Sequence, residues 1–333
     1  KDDMFPVMKL DAEELVLRPM NCPHHIQIYK HSQRSYRDLP LKIAELGTMY
    51  RYEQSGELTG LSRVRAMTLN DAHIFVRPDQ IQEEFKKAIR LVQEVYAILG
   101  FTEYKWRLSL RDPLDAEKYF QDDTMWNDAE TQLRQALDDV GLEYFESPGD
   151  AAFYGPKVDV QVRSALGKDE TISTVQLDFL LPQRFELEYV NEESGRSRPI
   201  MIHRGIISTM ERMTAFLIEN TAGDFPFWLA PEQIVVIPIA DRHLEYAREV
   251  AQTFKDRVLR ARADDGGERM NAKIRTAELH KIPVILVVGN QEQESRTLSV
   301  RERGAGLSER TERKGVPLEE LANELEKRYR SRS

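Results

Sequence analysis

The apolar pattern of this chain changes character at Asp224-Phe225-Pro226-Phe227-Trp228-Leu229-Ala230-Pro231, and one kind of sheet cannot satisfy both halves. Before that segment, Val158-Asp159-Val160-Gln161-Val162, Thr174-Val175-Gln176-Leu177-Asp178-Phe179 and Phe185-Glu186-Leu187-Glu188-Tyr189 alternate in the manner of strands. Neighbouring strands without helices between them imply an antiparallel sheet. After it, Ile234-Val235-Val236-Ile237-Pro238-Ile239 is a continuous apolar run, as in a buried parallel strand. A helix (241–256), a strand (258–263), a helix (268–280), the strands 284–288 and 297–300, and a helix from Pro317 then follow. Alternating strand and helix indicates a small α/β domain. We therefore expect an α+β domain of antiparallel sheet and flanking helices over residues 1–230, and a small α/β domain over 231–333.

Within the first domain, residues 79–99 read as a helix. Ile81, Phe85, Ile89, Val92 and Tyr96 recur at helical spacing, Asp79 and Gln82 suggest a capping box, and Gly100 stops the run. Further helices are expected over 127–140, ending at Gly141, and over 204–219.

The net charge of −9 argues against a polyanion partner only until it is divided. Residues 233–333 hold 20 Lys/Arg and 17 Asp/Glu, against 27 and 39 in residues 1–232. The second domain is thus the better polyanion binder. No apolar run approaches the roughly 18 residues of a membrane span. The opening Lys1-Asp2-Asp3 is no signal peptide, and a first residue other than Met suggests part of a longer polypeptide. A single cysteine excludes an internal disulfide and fits a reducing cytoplasm.

That cysteine, in Met20-Asn21-Cys22-Pro23-His24-His25, is instead a candidate metal ligand. Its candidate partners are His73, in Asp71-Ala72-His73-Ile74-Phe75, and His203, in Met201-Ile202-His203-Arg204. A convergent Cys/His/His set would leave a zinc position open for substrate. His24 and His25 compete by proximity, and each histidine taken alone is more often a hydrogen-bonded core residue. The second candidate cluster is Arg51-Tyr52-Glu53, read as a strand that puts Arg51 and Glu53 on one face. Arg51 suits a phosphate and Glu53 an amino group; the loop 55–65 would return Arg63. An isolated pair of this kind is more often a surface ion pair. Glu211-Arg212 supplies another arginine for a triphosphate, if the arginines meet.

At these residues the chain resembles bacterial threonyl-tRNA synthetases, which are class II aminoacyl-tRNA synthetases, over essentially its whole length. Arg51-Tyr52-Glu53 with Arg63 is similar to motif 2 of that class, and the segment from Gly205 to Arg212 to motif 3. The segments around Cys22, His73 and His203 resemble the family's three zinc-ligand segments. The segments 153–157 and 174–179 match as well. The resemblance implies ATP-dependent activation of L-threonine and transfer to tRNA(Thr). It implies one Zn2+ on Cys22, His73 and His203, taking the amino and hydroxyl groups of threonine, and Mg2+ with ATP. It gives Arg51 the α-phosphate, Arg212 the γ-phosphate, Arg63 a supporting role at the phosphates and Glu53 a place near adenine. Asp71, Tyr154 and Gln176 would complete the amino-acid pocket, and Lys157 would face the reacting groups. The second domain resembles an anticodon-binding domain, with Arg275, Glu292 and Arg301 at anticodon positions. A cytoplasmic homodimer without membrane attachment is implied.

The chain departs from that pattern in places. Nothing in it resembles motif 1 or the N-terminal editing domain of many relatives. Met67 stands where phenylalanine is usual, Leu69 where glutamine is common, and Gly267 where asparagine is expected. A relative specific for another amino acid, such as proline, is the alternative within the enzyme class. A non-catalytic tRNA-binding paralogue is the alternative outside it; Arg51, Glu53, Arg63 and Arg212 argue against that reading.

Overall fold

The computed structural model describes residues 4–165, 167–304 and 310–332. The chain divides into two compact units, Lys1–Asn220 and Thr221–Ser333. The break falls ahead of the Pro-rich segment, which therefore belongs to the second unit rather than closing the first. Its Phe227 is buried in the second unit's core.

Seven strands form the sheet of the first unit: β1 (Leu41–Tyr50), β2 (Ala66–Val76), β3 (Tyr104–Leu110), β4 (Tyr144–Pro148), β5 (Lys157–Arg163), β6 (Asp169–Asp178) and β7 (Ile200–Thr209). Their order is β1-β2-β7-β6-β5-β3-β4. Every neighbouring pair is antiparallel except the edge pair β3–β4. The antiparallel expectation thus holds.

Register makes the two faces chemically different. His73 lies opposite His203, His203 opposite Gln176, and Gln176 opposite Lys157. Directly paired residues share a face, so these four project to the same side. The opposite face carries Ile202, Leu177, Val175 and Val160, all buried. Helix α2 (Ile81–Leu99) contacts β2, β6 and β7. Its Ile81, Phe85, Ile89, Val92 and Tyr96 are each at most 1% exposed. Burying each such side chain contributes about 1.5–3 kcal/mol. The Tyr96 hydroxyl meets that of Ser173 on β6 at 2.8 Å, so the one polar tip on this stripe is satisfied. Gly100 ends the helix at φ 76°, where a side chain would be strained. Helix α1 (Cys22–Lys30) adds Ile26 and Tyr29 to Phe75 and Met201 on the site face. Helix α3 (Asp123–Val140) starts four residues before its expected place, because Asp122 caps it by accepting from the Met125 amide.

Four local expectations are corrected. Residues 185–188 form no strand, and only Tyr189–Val190 pairs. The Asp178 carboxylate starts a short helix, Leu180–Arg184, and Glu186 then takes φ 52°, so Leu187 is buried without a ladder. Residues 204–209 continue β7, flanked by β2 and β6; helix α4 (Met210–Thr221) begins only afterwards. Arg51 and Glu53 lie just beyond the end of β1. The amide of Arg77 is capped by the Gln80 side chain and Asp79 pairs with Arg77, so Asp79 and Gln82 make no capping box.

The second unit contains β8 (Ile234–Pro238), β9 (Ala261–Ala263), β10 (Val284–Val288), β11 (Thr297–Arg303) and β12 (Arg310–Pro317), in the order β9-β8-β10-β11-β12. The first three are parallel and the last two antiparallel. Helices α5 (Leu244–Asp256), α6 (Met270–Leu279), α7 (Asn290–Ser295) and α8 (Leu318–Ser331) complete it. β8 is fully buried, as its unbroken apolar run requires. Residues 258–260 precede β9 rather than belonging to it, and β12 escaped the sequence reading because it is mostly polar.

Candidate functional site

Three elements bring the metal candidates together. Cys22 opens α1, His73 sits in β2 and His203 in β7, where register forces the two imidazoles side by side. Cys22 Sγ is 3.1 Å from His73 Nε2 and 3.5 Å from His203 Nδ1. The three donor atoms all lie within 4.8 Å of one another. Tetrahedral zinc with these donors needs edges of about 3.4–3.6 Å, so the cluster fits the ion. Both histidines are buried. The unused nitrogen of each is already engaged: His203 Nε2 meets Asp178 Oδ2 at 2.7 Å, and His73 Nδ1 meets His25 Nδ1 at 2.7 Å. Asp178 is itself held in place by its other oxygen, which accepts from the Leu180 and Leu181 amides at 2.9 Å. His25 therefore stands behind His73, on the side away from Cys22, rather than competing as a ligand.

Burial and hydrogen bonding shift these groups in opposite directions. Desolvation, helped by the neighbouring His203 and His25, holds His73 far below the usual imidazole range. Burial also pulls His203 down, but its bonds to Asp178 and Cys22 outweigh this and bring it up to about 10. Asp71 is raised by burial, against the opposing hydrogen bond from Asn21. Asn21, fully buried, donates to Asp71 Oδ2 at 3.1 Å. It fits there only because Gly47 offers no Cβ, which would come within 2.5 Å of the Asn21 amide.

Two adjoining cavities share this face. The first, of about 300 Å³, is lined by Cys22, Asp71, Tyr154, Gln176 and His203, among others. The Tyr154 hydroxyl donates to Gln176, and its ring lies 5.3 Å from that of His203. Burial pushes its phenol above the usual range. The second, of about 570 Å³, is lined by Glu53, Arg63, Val64, Met67 and Thr209, among others. Arg51, Arg212, Leu69, Met49 and Ser208 line both. The two arginines thus stand where the cavities join. Arg51 Nε donates to the Pro19 carbonyl at 3.3 Å, while Arg212 pairs with Glu170 at 3.6 Å. The Arg212 Nε is buried without a hydrogen-bond partner among the described residues. Glu211 does not pair with it; its carboxylate accepts from the Thr68 amide. Glu53 and Arg63 pair with each other at 2.8 Å.

Lys157 stands apart. Its ammonium pairs with Asp159, and it is not among the residues lining either cavity. In the second unit, Arg275 is exposed on α6. Glu292 has internal duties, accepting from the Gly289 amide at 3.0 Å and from the Ser299 hydroxyl at 2.8 Å. Arg301 grips Glu312, its register partner on β12. The sequence reading did not single out Asn21, Glu45 or Asp178 for the site. The signal for Asp178 was its place two residues after Gln176 on one strand face.

Comparisons with known proteins show which families the two parts of the chain match. Residues 5–221 match the tRNA synthetase class II core domain (G, H, P, S and T), and residues 233–328 match an anticodon binding domain. A threonine–tRNA ligase of Geobacillus kaustophilus is 60% identical over 305 residues, covering 91% of this chain and 47% of the relative. That of Anoxybacillus flavithermus is 56% identical over 331 residues, covering 99% and 51%. The chain thus spans about half the length of these curated relatives. The solved structure of the RNA binding domain of threonyl-tRNA synthetase from Cryptosporidium parvum superposes with a TM-score of 0.89. It is 38% identical, covering 98% of this chain and 80% of that one.

Proposed function

This chain belongs to the threonyl-tRNA synthetase family of class II, and from that premise we propose that it activates L-threonine with ATP and charges tRNA(Thr). The observation that carries the reading is the junction of two cavities at Arg51 and Arg212, with a Cys/His/His cluster in one and Glu53 and Arg63 in the other. An amino acid in the first and ATP in the second would meet between two guanidiniums. There the carboxylate oxygen attacks the α-phosphorus and pyrophosphate departs. Arg51 holds the α-phosphate, Arg212 the γ-phosphate, and alignment with cationic stabilisation supplies the rate. Mg2+ accompanies the ATP. The terminal ribose hydroxyl of tRNA then takes the threonyl group, releasing AMP.

Zinc on Cys22, His73 and His203 would supply a Lewis-acid position for an amino and a hydroxyl group. Asp71 is placed to orient the amino group, while Tyr154 and Gln176 close the pocket. This arrangement solves a discrimination problem. Valine is nearly isosteric with threonine, and an apolar pocket separates such pairs by only about 10²-fold. A site built for the hydroxyl rejects valine far more strongly. Serine keeps the hydroxyl and loses one methyl, about 1–3 kcal/mol, so it leaks through.

The anticodon roles of Arg275, Glu292 and Arg301, the cytoplasmic homodimer and the division into a catalytic and an anticodon-binding domain remain parts of this proposal, with the boundary after Asn220 rather than at 230. Amino-acid-dependent ATP–pyrophosphate exchange tests it. Threonine should drive exchange, serine roughly 10–200-fold less, and valine less again. Exchange driven by proline, or equally by valine and serine, would overturn the reading.

A further inference from the structure

We propose that Ser208 is a further substrate-binding residue, whose hydroxyl donates to a non-bridging oxygen of the α-phosphate that Arg51 holds. The inference deepens the ATP reading above and rests on it. Strand β7 is irregular where it reaches the site. Gly205 lies opposite Asp71 and Thr209 opposite Leu69, so four steps along β7 face two along β2. Two residues of β7 are therefore surplus to the ladder, and pairing with β6 ends at Gly205. The bulge is anchored from both sides. The Ile206 amide donates to Asn70 Oδ1 at 3.4 Å, and the Ser173 hydroxyl donates to the Ile206 carbonyl. Beyond the bulge, the Thr209 hydroxyl accepts from the Arg212 amide at 3.1 Å, where α4 begins. Bulges of this kind re-aim side chains beside active sites.

Ser208 sits within this bulge at φ 55°. That left-handed conformation strains any residue with a Cβ and suits glycine. A strained residue persists only where its surroundings hold it, and such residues gather at ligand sites. What serine has and glycine lacks is a hydroxyl. Among the described residues, Met49, Arg51, Leu69, Ser208 and Arg212 line both cavities. Met49 and Leu69 are apolar, while guanidiniums donate and never accept. The Ser208 hydroxyl makes no hydrogen bond among the described residues, and the side chains beside it at the junction offer its proton no strong acceptor. A ligand must bring that acceptor. Two arginines select an anion there, and the proposed reaction places the α-phosphate at Arg51, where the cavities join. Charge builds on the non-bridging oxygens as the threonine carboxylate attacks, so a donor fixed beforehand acts most strongly in the transition state. The serine keeps its proton throughout; it is a hydrogen-bond donor, neither nucleophile nor base.

Threonine-dependent ATP–pyrophosphate exchange and thermal melting of two variants test the proposal. Ser208→Ala removes the hydroxyl and keeps the strained backbone; Ser208→Gly removes both. The kcat of exchange should fall about 10–100-fold in each, the loss of a hydrogen bond to a charged group. Ser208→Gly should nonetheless melt at a higher temperature than Ser208→Ala. ATP carrying sulphur in place of one non-bridging α-phosphate oxygen gives a readout that a merely structural role would not move. Sulphur is a weak acceptor. The unaltered protein should therefore use one α-thio diastereomer poorly, and that penalty should shrink in Ser208→Ala. Unchanged exchange in either folded variant, activity restored in Ser208→Gly after loss in Ser208→Ala, or an unchanged diastereomer ratio would overturn the role of the hydroxyl. Ser208→Gly melting no higher than Ser208→Ala would remove the strain from which that role is argued. The diastereomer ratio is read on Ser208→Gly should Ser208→Ala not fold. Absence of threonine-dependent exchange in the unaltered protein would instead overturn the reading on which the inference rests.

Discussion

Replacing Gly155 by alanine should cost threonine activation far more than it costs folding. A Cβ on Gly155 would stand 2.1 Å from the Leu177 carbonyl oxygen. An ordinary carbon–oxygen contact is about 3.3 Å, so one backbone must yield by roughly 1 Å. The two segments are laced together at that point: Leu177 N–H donates to the Pro156 carbonyl at 3.0 Å, and Phe179 N–H to the Tyr154 carbonyl at 3.5 Å. Losing both bonds destabilises by about 1–3 kcal/mol, which the large core can absorb. The shift reaches the site because Tyr154 is the neighbouring residue and bonds Gln176 on the very strand that is pushed. A misplacement of about 1 Å costs on the order of 10²-fold in rate. Cys22, His73 and His203 lie on other elements, but Asp178 follows Leu177 and holds the His203 ring, so zinc affinity should fall as well. Threonine-dependent ATP–pyrophosphate exchange, beside metal analysis and thermal melting, is the assay. Exchange within about twofold of the unaltered protein, with the melt shifted as expected, would refute the argument that Gly155 positions the pocket.

Other substitutions divide the site into its parts. Cys22→Ser should lose metal and threonine-dependent exchange together; retained exchange without metal would show that the pocket does not need the ion. Asp178→Asn keeps an oxygen for the Leu180 and Leu181 amides but loses the carboxylate on His203, so zinc affinity should fall about 10–100-fold with folding kept. Chelator competition measures that loss. Arg301→Ala should weaken tRNA charging while leaving exchange nearly intact; equal loss in both steps would count against an anticodon role.

The Cys/His/His cluster was legible because these residue types are rare in this chain, and the two histidines lie on strands whose alternation fixes their face. Its supports were less legible. His25 lies within the same short segment as Cys22, and sequence proximity made it look like a rival ligand; only the direction of α1 puts it behind His73. Glu45 carries no signal in the sequence; only the pairing of β1 with β2 sets it opposite Asp71. The first unit's edge strands were harder to see than its centre, since β1 alternates between half-buried and exposed residues. The helical pattern at 204–219 misled because a strand covered on both faces of its sheet need not alternate apolar with polar residues, so β7 ran on unnoticed into α4. Arg51 and Glu53 share a cavity although they are not on a strand, because the turn after β1 aims both inward.

Anomalous diffraction at the zinc edge, from crystals grown with threonine, tests the central claim most directly. The account predicts one strong peak bonded to Cys22 Sγ, His73 Nε2 and His203 Nδ1, with the amino and hydroxyl groups of threonine completing its coordination. A peak held by His24 or His25, or threonine bound away from the metal, would contradict it.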